Sequence, residues 1–147
     1  MTQTTKLSRR NFMRGISAGT VGLLILPSGT LFGQNTPNNK LNVALIGTWG
    51  RAEAHFQGLM KENVVALCDV NEEHLAFGAQ QFPNAKTYVD WRQCLEQKDI
   101  DAVVCCTPDS THAFIGIWAM NRGYHLYLEK PMGLSVEEVR LVRETYL

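Results

Sequence analysis

The sequence predicts an α/β fold, a doubly wound parallel sheet, on three observations. Short, nearly continuous apolar runs alternate with stretches of helical periodicity from Leu41 to the chain end. The first run, in LNVALIGTWGRA at Leu41 to Ala52, closes on a glycine turn that opens into a helix. Gly47, Asp69, Thr107 and Lys130 fall at the ends of four of the runs, and strand ends of a parallel sheet share one edge, where ligands bind.

Asn42 to Ile46 reads as a strand covered on both faces and ended by Gly47. A helix follows from Ala52 to Lys61, with Ala54, Leu59 and Met60 available for packing, and Val64 to Cys68 is the second strand. Asn71 caps a helix from Glu72 to about Phe82, favoured by Glu72 and Glu73 in its first turn and stopped by Pro83-Asn84. Lys86 to Val89 is a short third strand; Asp90 caps a helix from Trp91 to Gln97. Ile100 to Thr107 is the fourth strand, apolar enough for the centre of the sheet. Pro108 ends it, and Asp109 or Ser110 starts a helix in which Ala113, Phe114, Ile117 and Trp118 recur at helical spacing until Gly123 supplies a left-handed stop. Tyr124 to Glu129 is the fifth strand, and Ser135-Val136-Glu137-Glu138 is a capping box opening a last helix. Five strands alternating with five helices give a doubly wound sheet with right-handed crossovers.

A chain of 147 residues accommodates one ordinary domain and a targeting segment. The expected division is a targeting segment at 1–33, a linker at 34–40 and a folded domain at 41–147. No acidic residue precedes Glu53, whereas Lys6, Arg9, Arg10 and Arg14 crowd the start; setting those four aside leaves ten basic against 14 acidic residues. A mildly acidic domain does not suit nucleic acid, which needs a clustered basic face. Cys68, Cys94, Cys105 and Cys106 have neither C-x-x-C spacing nor a nearby histidine ladder, so no metal site is expected. Three of them lie in apolar strand-like runs and read as buried free thiols, with Cys105 and Cys106 pointing to opposite faces.

Ser8-Arg9-Arg10-Asn11-Phe12-Met13-Arg14 resembles the twin-arginine export motif S-R-R-x-F-L-K, with Met13 and Arg14 replacing its last two residues. Ile16 to Leu26 behind it is apolar over about half the roughly 20 residues that a membrane span needs. The expectation is a periplasmic or exported protein handled by the twin-arginine machinery. No A-x-A cleavage site is present, so an uncleaved signal acting as a membrane anchor stays open, as does a basic disordered tail. Gln34 to Lys40 (QNTPNNK) reads as the linker.

The dinucleotide fingerprint G-x-G-x-x-G asks for glycine where this chain has Gly47, Trp49 and Ala52, with an additional glycine at Gly50. Gly47, Thr48, Trp49, Gly50 and Arg51 are nonetheless the candidate phosphate-binding loop. Asp69 lies about 20 residues beyond Gly47, where an acid accepts hydrogen bonds from the adenosine ribose. The other reading of Asp69, a helix cap, suits Asn71 better. A carboxylate there repels a 2′-phosphate, so NAD is expected in preference to NADP. His112, in the first turn of its helix, reads either as a packing residue or as a ligand contact.

The Gly47 turn, CDVN at Cys68 to Asn71, CTPDSTHA at Cys106 to Ala113 and LEKPMGLSVEE at Leu128 to Glu138 together resemble the Gfo/Idh/MocA oxidoreductase family. The likeness covers its amino-terminal NAD(P)-binding Rossmann domain, from Leu41 to Leu147, and that family includes exported members with twin-arginine signals. The resemblance implies that Glu129, Lys130 and Pro131 frame the nicotinamide, with Pro131 often cis. It places Lys130 by the substrate hydroxyl as the catalytic candidate, where a lysine can stabilise alkoxide charge or relay a proton; the plainer alternative is a solvated surface lysine. It also implies that Thr107, Pro108 and His112 line the cofactor channel. Two departures stand out. Trp49 replaces the second glycine, which is expected to weaken pyrophosphate binding, with Gly50 restoring some freedom and Arg51 pairing with phosphate charge. The family's carboxyl-terminal substrate domain and the sheet's sixth strand are not in the sequence, so a truncated form is expected, inactive alone, of a protein that is homo-oligomeric at full length. The implied function is hydride transfer with a sugar or polyol-like substrate; the alternatives are NAD-dependent glycoside hydrolysis within the same family and a non-catalytic nucleotide-binding module.

Overall fold

Each apolar run becomes a strand because its alternate side chains are buried on opposite faces of the sheet. The computed structural model of the protein describes residues 40–147; the twin-arginine motif, and the linker up to residue 39, lie outside the described residues. Strands β1 (Asn42–Ile46), β2 (Asn63–Cys68), β3 (Lys86–Tyr88), β4 (Ala102–Cys105) and β5 (His125–Leu128) form a parallel sheet in the order β3-β2-β1-β4-β5. The chain therefore winds outward from β1 to β3, returns to the other side of β1, and continues to β5. The reversal opens a crevice above the carboxyl ends of β1 and β4.

Helix α1 (Phe56–Leu59) and helix α2 (Glu72–Gln81) contribute Phe56, Leu59 and Leu75 to a core with Val43 and Leu45 of β1. Helix α3 (Trp91–Cys94) and helix α4 (Asp109–Asn121) contribute Cys94, Ile115 and Ala119 to a core on the opposite face, with Ala44 and Ile46. Helix α5 (Val136–Tyr146) packs against α4. All four cysteines are buried and free, and Cys105 and Cys106 enter opposite cores, as the strand period requires.

The capping residues named from the sequence take their places. Asn71 Oδ1 accepts from Glu73 N at 2.9 Å, Asp90 Oδ1 accepts from Arg92 N at 2.8 Å, and Ser135 with Glu138 forms the reciprocal box. Gly123 adopts φ 82°, ending α4.

Three elements differ from the sequence reading. The helix expected over Ala52 to Lys61 begins as a 3-10 stretch at Gly50–His55 and completes only one α turn. Glu53 draws the loop tight by accepting from Gly50 N at 3.2 Å, and the fully buried Ala52 pulls the turn against the sheet. The helix expected to reach Gln97 stops at Cys94, because the Gln97 side chain is engaged by Tyr88 Oη (2.7 Å) and the Val65 carbonyl (3.4 Å). β4 is shorter than Ile100 to Thr107, although Asp101 N and Cys106 N still donate to the carbonyls of Asn42 and Ile46 at its two ends.

Candidate functional site

The strand ends converge on a cleft of about 610 Å³ lined mostly by apolar atoms, with Gly47, Trp49, Asp69, Thr107 and Pro108 among its walls. That volume falls within the usual range for cofactor sites.

Gly47 begins the site. Its φ is 81°, and a Cβ built on it would lie 2.7 Å from the Cys106 carbonyl carbon, so only glycine passes between the ends of β1 and β4. Its N–H donates to the Cys68 carbonyl at 2.8 Å, joining the turn to β2. Thr48 is fully buried, and its side chain is held on the α2 side of the loop. Its N–H donates to Asp69 Oδ2 at 2.9 Å and its hydroxyl to the His74 carbonyl at 2.8 Å. α2 comes that close because Gly78 faces Thr48; a Cβ there would meet the threonine Cβ at 2.8 Å.

Trp49 has extended backbone, φ −127° and ψ 162°, which any residue adopts. The second left-handed position of this loop is Gly50, at φ 62° with open space around it. Glycine is therefore required at the first and fourth positions of G-T-W-G, and the tryptophan introduces no backbone conflict. Its indole leaves the loop sideways, stacks on His74 and meets Phe77 edge-on.

Asp69 both lines the cleft and organises it. One oxygen holds Thr48 N and the other accepts from Asn71 N at 2.9 Å, with His74 Nδ1 3.8 Å away. A carboxylate offers about four acceptor positions, so capacity is left for ribose hydroxyls.

Arg51, Glu129 and His55 form a cluster on the β5 side. Glu129 is 4% exposed, and its Oε1 receives Arg51 Nε at 3.0 Å and His55 Nε2 at 2.7 Å. Burial pushes the Glu129 carboxyl up, but the hydrogen bonds from His55 and Arg51 outweigh it and hold the group below its usual value. Arg51 is thus engaged by a carboxylate, while its exposed guanidinium keeps further donors.

Lys130 follows the end of β5, exposed, and the Lys130-Pro131 bond is cis. His112 is 2% exposed, with Nδ1 2.6 Å from the Pro131 carbonyl and Nε2 2.8 Å from the Thr107 carbonyl. It bridges the β4 and β5 loops through its ring, so its burial serves packing and site geometry together. Thr107 accepts from the Thr111 hydroxyl at 2.7 Å, closing the turn beside Pro108. Cys106, also on the cleft wall, has its thiol pushed up to about 12, chiefly by burial. Cys68, another wall residue, is raised by its hydrogen bond with Cys94 and by burial, so both thiols stay protonated and offer no nucleophile at neutral pH.

The residues named from the sequence divide into two groups. Gly47, Trp49, Asp69, Thr107 and Pro108 border the cleft, whereas Arg51, Glu129, Lys130 and Pro131 form its neighbour on the β5 side, with His112 between them. The sequence reading missed His55, His74 and Phe77. Arg51 and His55 reach Glu129 from the 3-10 stretch, and nothing in the sequence located Glu129 opposite them.

The features present suit a dinucleotide: a glycine turn at the sheet's reversal, an acid at the end of β2 and an apolar cleft of adequate size. Residues 41–146 match the model of the Gfo/Idh/MocA family, described as an oxidoreductase family with an NAD-binding Rossmann fold. Among curated relatives, glycosyl hydrolase family 109 protein 1 of Bacteroides fragilis is 32% identical over 133 residues, covering 78% of this chain and 28% of the relative. A glycosyl hydrolase family 109 protein of Shewanella baltica is 28% identical over 170 residues, covering 95% and 37%. Among solved structures, myo-inositol 2-dehydrogenase from Lactobacillus plantarum superposes with TM-score 0.68 at 27% identity, covering 73% of this chain and 33% of that one. Myo-inositol dehydrogenase from Lactobacillus casei, solved with NAD(H) and myo-inositol, gives TM-score 0.68 at 27% identity, with 72% and 33% covered. The chain thus spans about a third of the length of these relatives.

Proposed function

Because the chain belongs to the Gfo/Idh/MocA oxidoreductase family and carries its NAD-binding Rossmann domain, we propose that it is the nucleotide-binding part of an exported oxidoreductase acting on a sugar or polyol-like substrate. The observation that carries this reading is the position of exposed Lys130 at the end of β5, across the sheet's reversal from Asp69 at the end of β2. A dinucleotide laid across that reversal has its adenosine over the β2 side and its reactive ring over the β5 side.

Bound NAD supplies a hydride acceptor. The chain's own residues then have separable tasks. Asp69 receives ribose hydroxyls and disfavours a 2′-phosphate, which is the basis for NAD over NADP. The Gly47 turn lets backbone approach the pyrophosphate, and the free donors of Arg51 face its charge. Lys130 meets the carbinol hydroxyl and stabilises or relays its proton as the carbon-bound hydride leaves. Glu129, gripped by Arg51 and His55, and His112, bridging to the Pro131 carbonyl, fix the turn that carries the lysine.

Glycosyl hydrolase family 109 relatives favour a second reading, in which hydride is borrowed and returned while a glycosidic bond is hydrolysed. The two differ in stoichiometry. A dehydrogenase accumulates one NADH per product, whereas the borrowing reaction releases sugar with no net NADH. Calorimetric titration of the chain with NAD tests what both require. Saturable binding, about tenfold tighter for NAD than NADP, is expected; no binding at millimolar NAD would remove both enzyme readings. Export through Ser8 to Arg14 belongs to the same proposal, and replacing Arg9 and Arg10 by lysine is expected to leave the protein in the cytoplasmic fraction.

A further inference from the structure

We propose that the Trp49 indole is the wall against which the adenosine half of the dinucleotide packs, and that His74 and Phe77 are positioning residues that preset it. The inference rests on the nucleotide-binding reading above and adds a contact that replaces the missing second glycine.

Three observations carry it. The first is where the side chain goes. With extended backbone at Trp49, the indole leaves the loop toward α2, and Gly78 lets that helix approach until it touches Thr48. The second is how the ring is held. The His74 imidazole lies parallel to it, 7° between planes at 5.1 Å, and Phe77 meets it at 74° and 4.9 Å. His74 and Phe77 are one helical turn apart on α2 and act on the ring together. Trp49 nevertheless remains 49% exposed, so much of the indole stays open to a ligand. A ring already fixed in place binds without the ordering cost of a mobile side chain.

The third observation is which half of a ligand it would meet. Trp49 shares the cleft with Asp69, Val70, Asn71 and His74, all at or just after the end of β2. β2 lies on one side of β1, and β4 and β5, with Lys130 beyond, lie on the other. The reacting ring belongs on the Lys130 side, so the indole faces the adenosine. A flat, apolar ring with a polarised face is a suitable partner for purine and ribose.

The test is calorimetric titration of the full 147-residue chain and its variants with NAD and with ADP-ribose, which keeps the adenosine half and lacks nicotinamide. Trp49→Ala is expected to weaken both ligands alike by about tenfold, and Trp49→Phe to recover most of the loss. His74→Ala is expected to weaken both about threefold with an unchanged ligand-free melting temperature, and His74→Phe to restore them. Should Trp49→Ala lower the ligand-free melting temperature by more than about 2 °C, Trp49→Phe against Trp49→Leu decides, since both occupy the space and only one offers a ring. A wild-type chain that binds NAD while Trp49→Ala or Trp49→Gly binds it equally or more tightly overturns the proposal and leaves the nucleotide-binding reading standing. A wild-type chain that binds neither ligand at millimolar concentration removes that reading, and the proposal with it.

Discussion

Gly47 and Thr48 show how much of this site is decided by single residues. At Gly47 a left-handed backbone coincides with a Cβ position 2.7 Å from neighbouring main chain, so relief by side-chain movement is impossible. Gly47→Ala is expected to destabilise the fold by about 2–4 kcal/mol, read from the urea denaturation midpoint. Thr48→Val keeps the shape but removes the hydroxyl that donates to the His74 carbonyl inside a fully buried position. A loss of about 1–3 kcal/mol is expected, with NAD affinity falling as α2 loosens from the loop. The two residues differ in legibility. Gly47 announced itself by ending an apolar run, whereas the inward role of Thr48 depended on Gly78, thirty residues away, being small enough to admit it. Trp49 looked like an obstruction because the fingerprint wants glycine there; the dihedral angles move the left-handed position to Gly50 and free the indole to turn onto α2.

At the scale of elements, the turn after β5 is held from two directions, by Arg51 and His55 through Glu129 and by His112 through the Pro131 carbonyl. Glu129 makes this arrangement sensitive to acid. Its carboxyl is held below its ordinary value of 4.5 in the folded protein, the hydrogen bonds prevailing over burial. The unfolded chain therefore takes up the proton first. The stabilisation is fully present above about pH 4.5 and is lost as pH falls through the depressed value. Glu129→Gln is expected to lower stability at neutral pH and to flatten the stability curve below pH 4.5, measured as urea midpoints across pH. Strands and caps were legible because they follow from local pattern: β1 to β5 and the Asn71, Asp90 and Ser135 caps stand where the sequence put them, within a residue or two at most ends. The 3-10 start of the first helix and the early end of α3 were not. Both are imposed by tertiary partners, buried Ala52 in one case and the Gln97 contacts with Tyr88 and Val65 in the other.

For the molecule as a whole, the order β3-β2-β1-β4-β5 turns a linear pattern into a site. Residues at the ends of β1, β2, β4 and β5 meet at one edge although more than eighty positions separate Gly47 from Lys130. That convergence followed from the parallel architecture alone, while the Glu129 cluster and the contacts of Trp49 with His74 and Phe77 depend on how distant segments pack. The central claim, that the carboxyl edge of this sheet is the nucleotide site, is tested most directly by backbone amide NMR of the chain titrated with NAD. Saturable shifts clustered at Gly47 to Arg51, Asp69 to Asn71, Thr107 to Thr111 and Lys130 are the expected result. Shifts confined to the opposite edge, around Asp101 and Gly123, or no shifts at millimolar NAD, would contradict it.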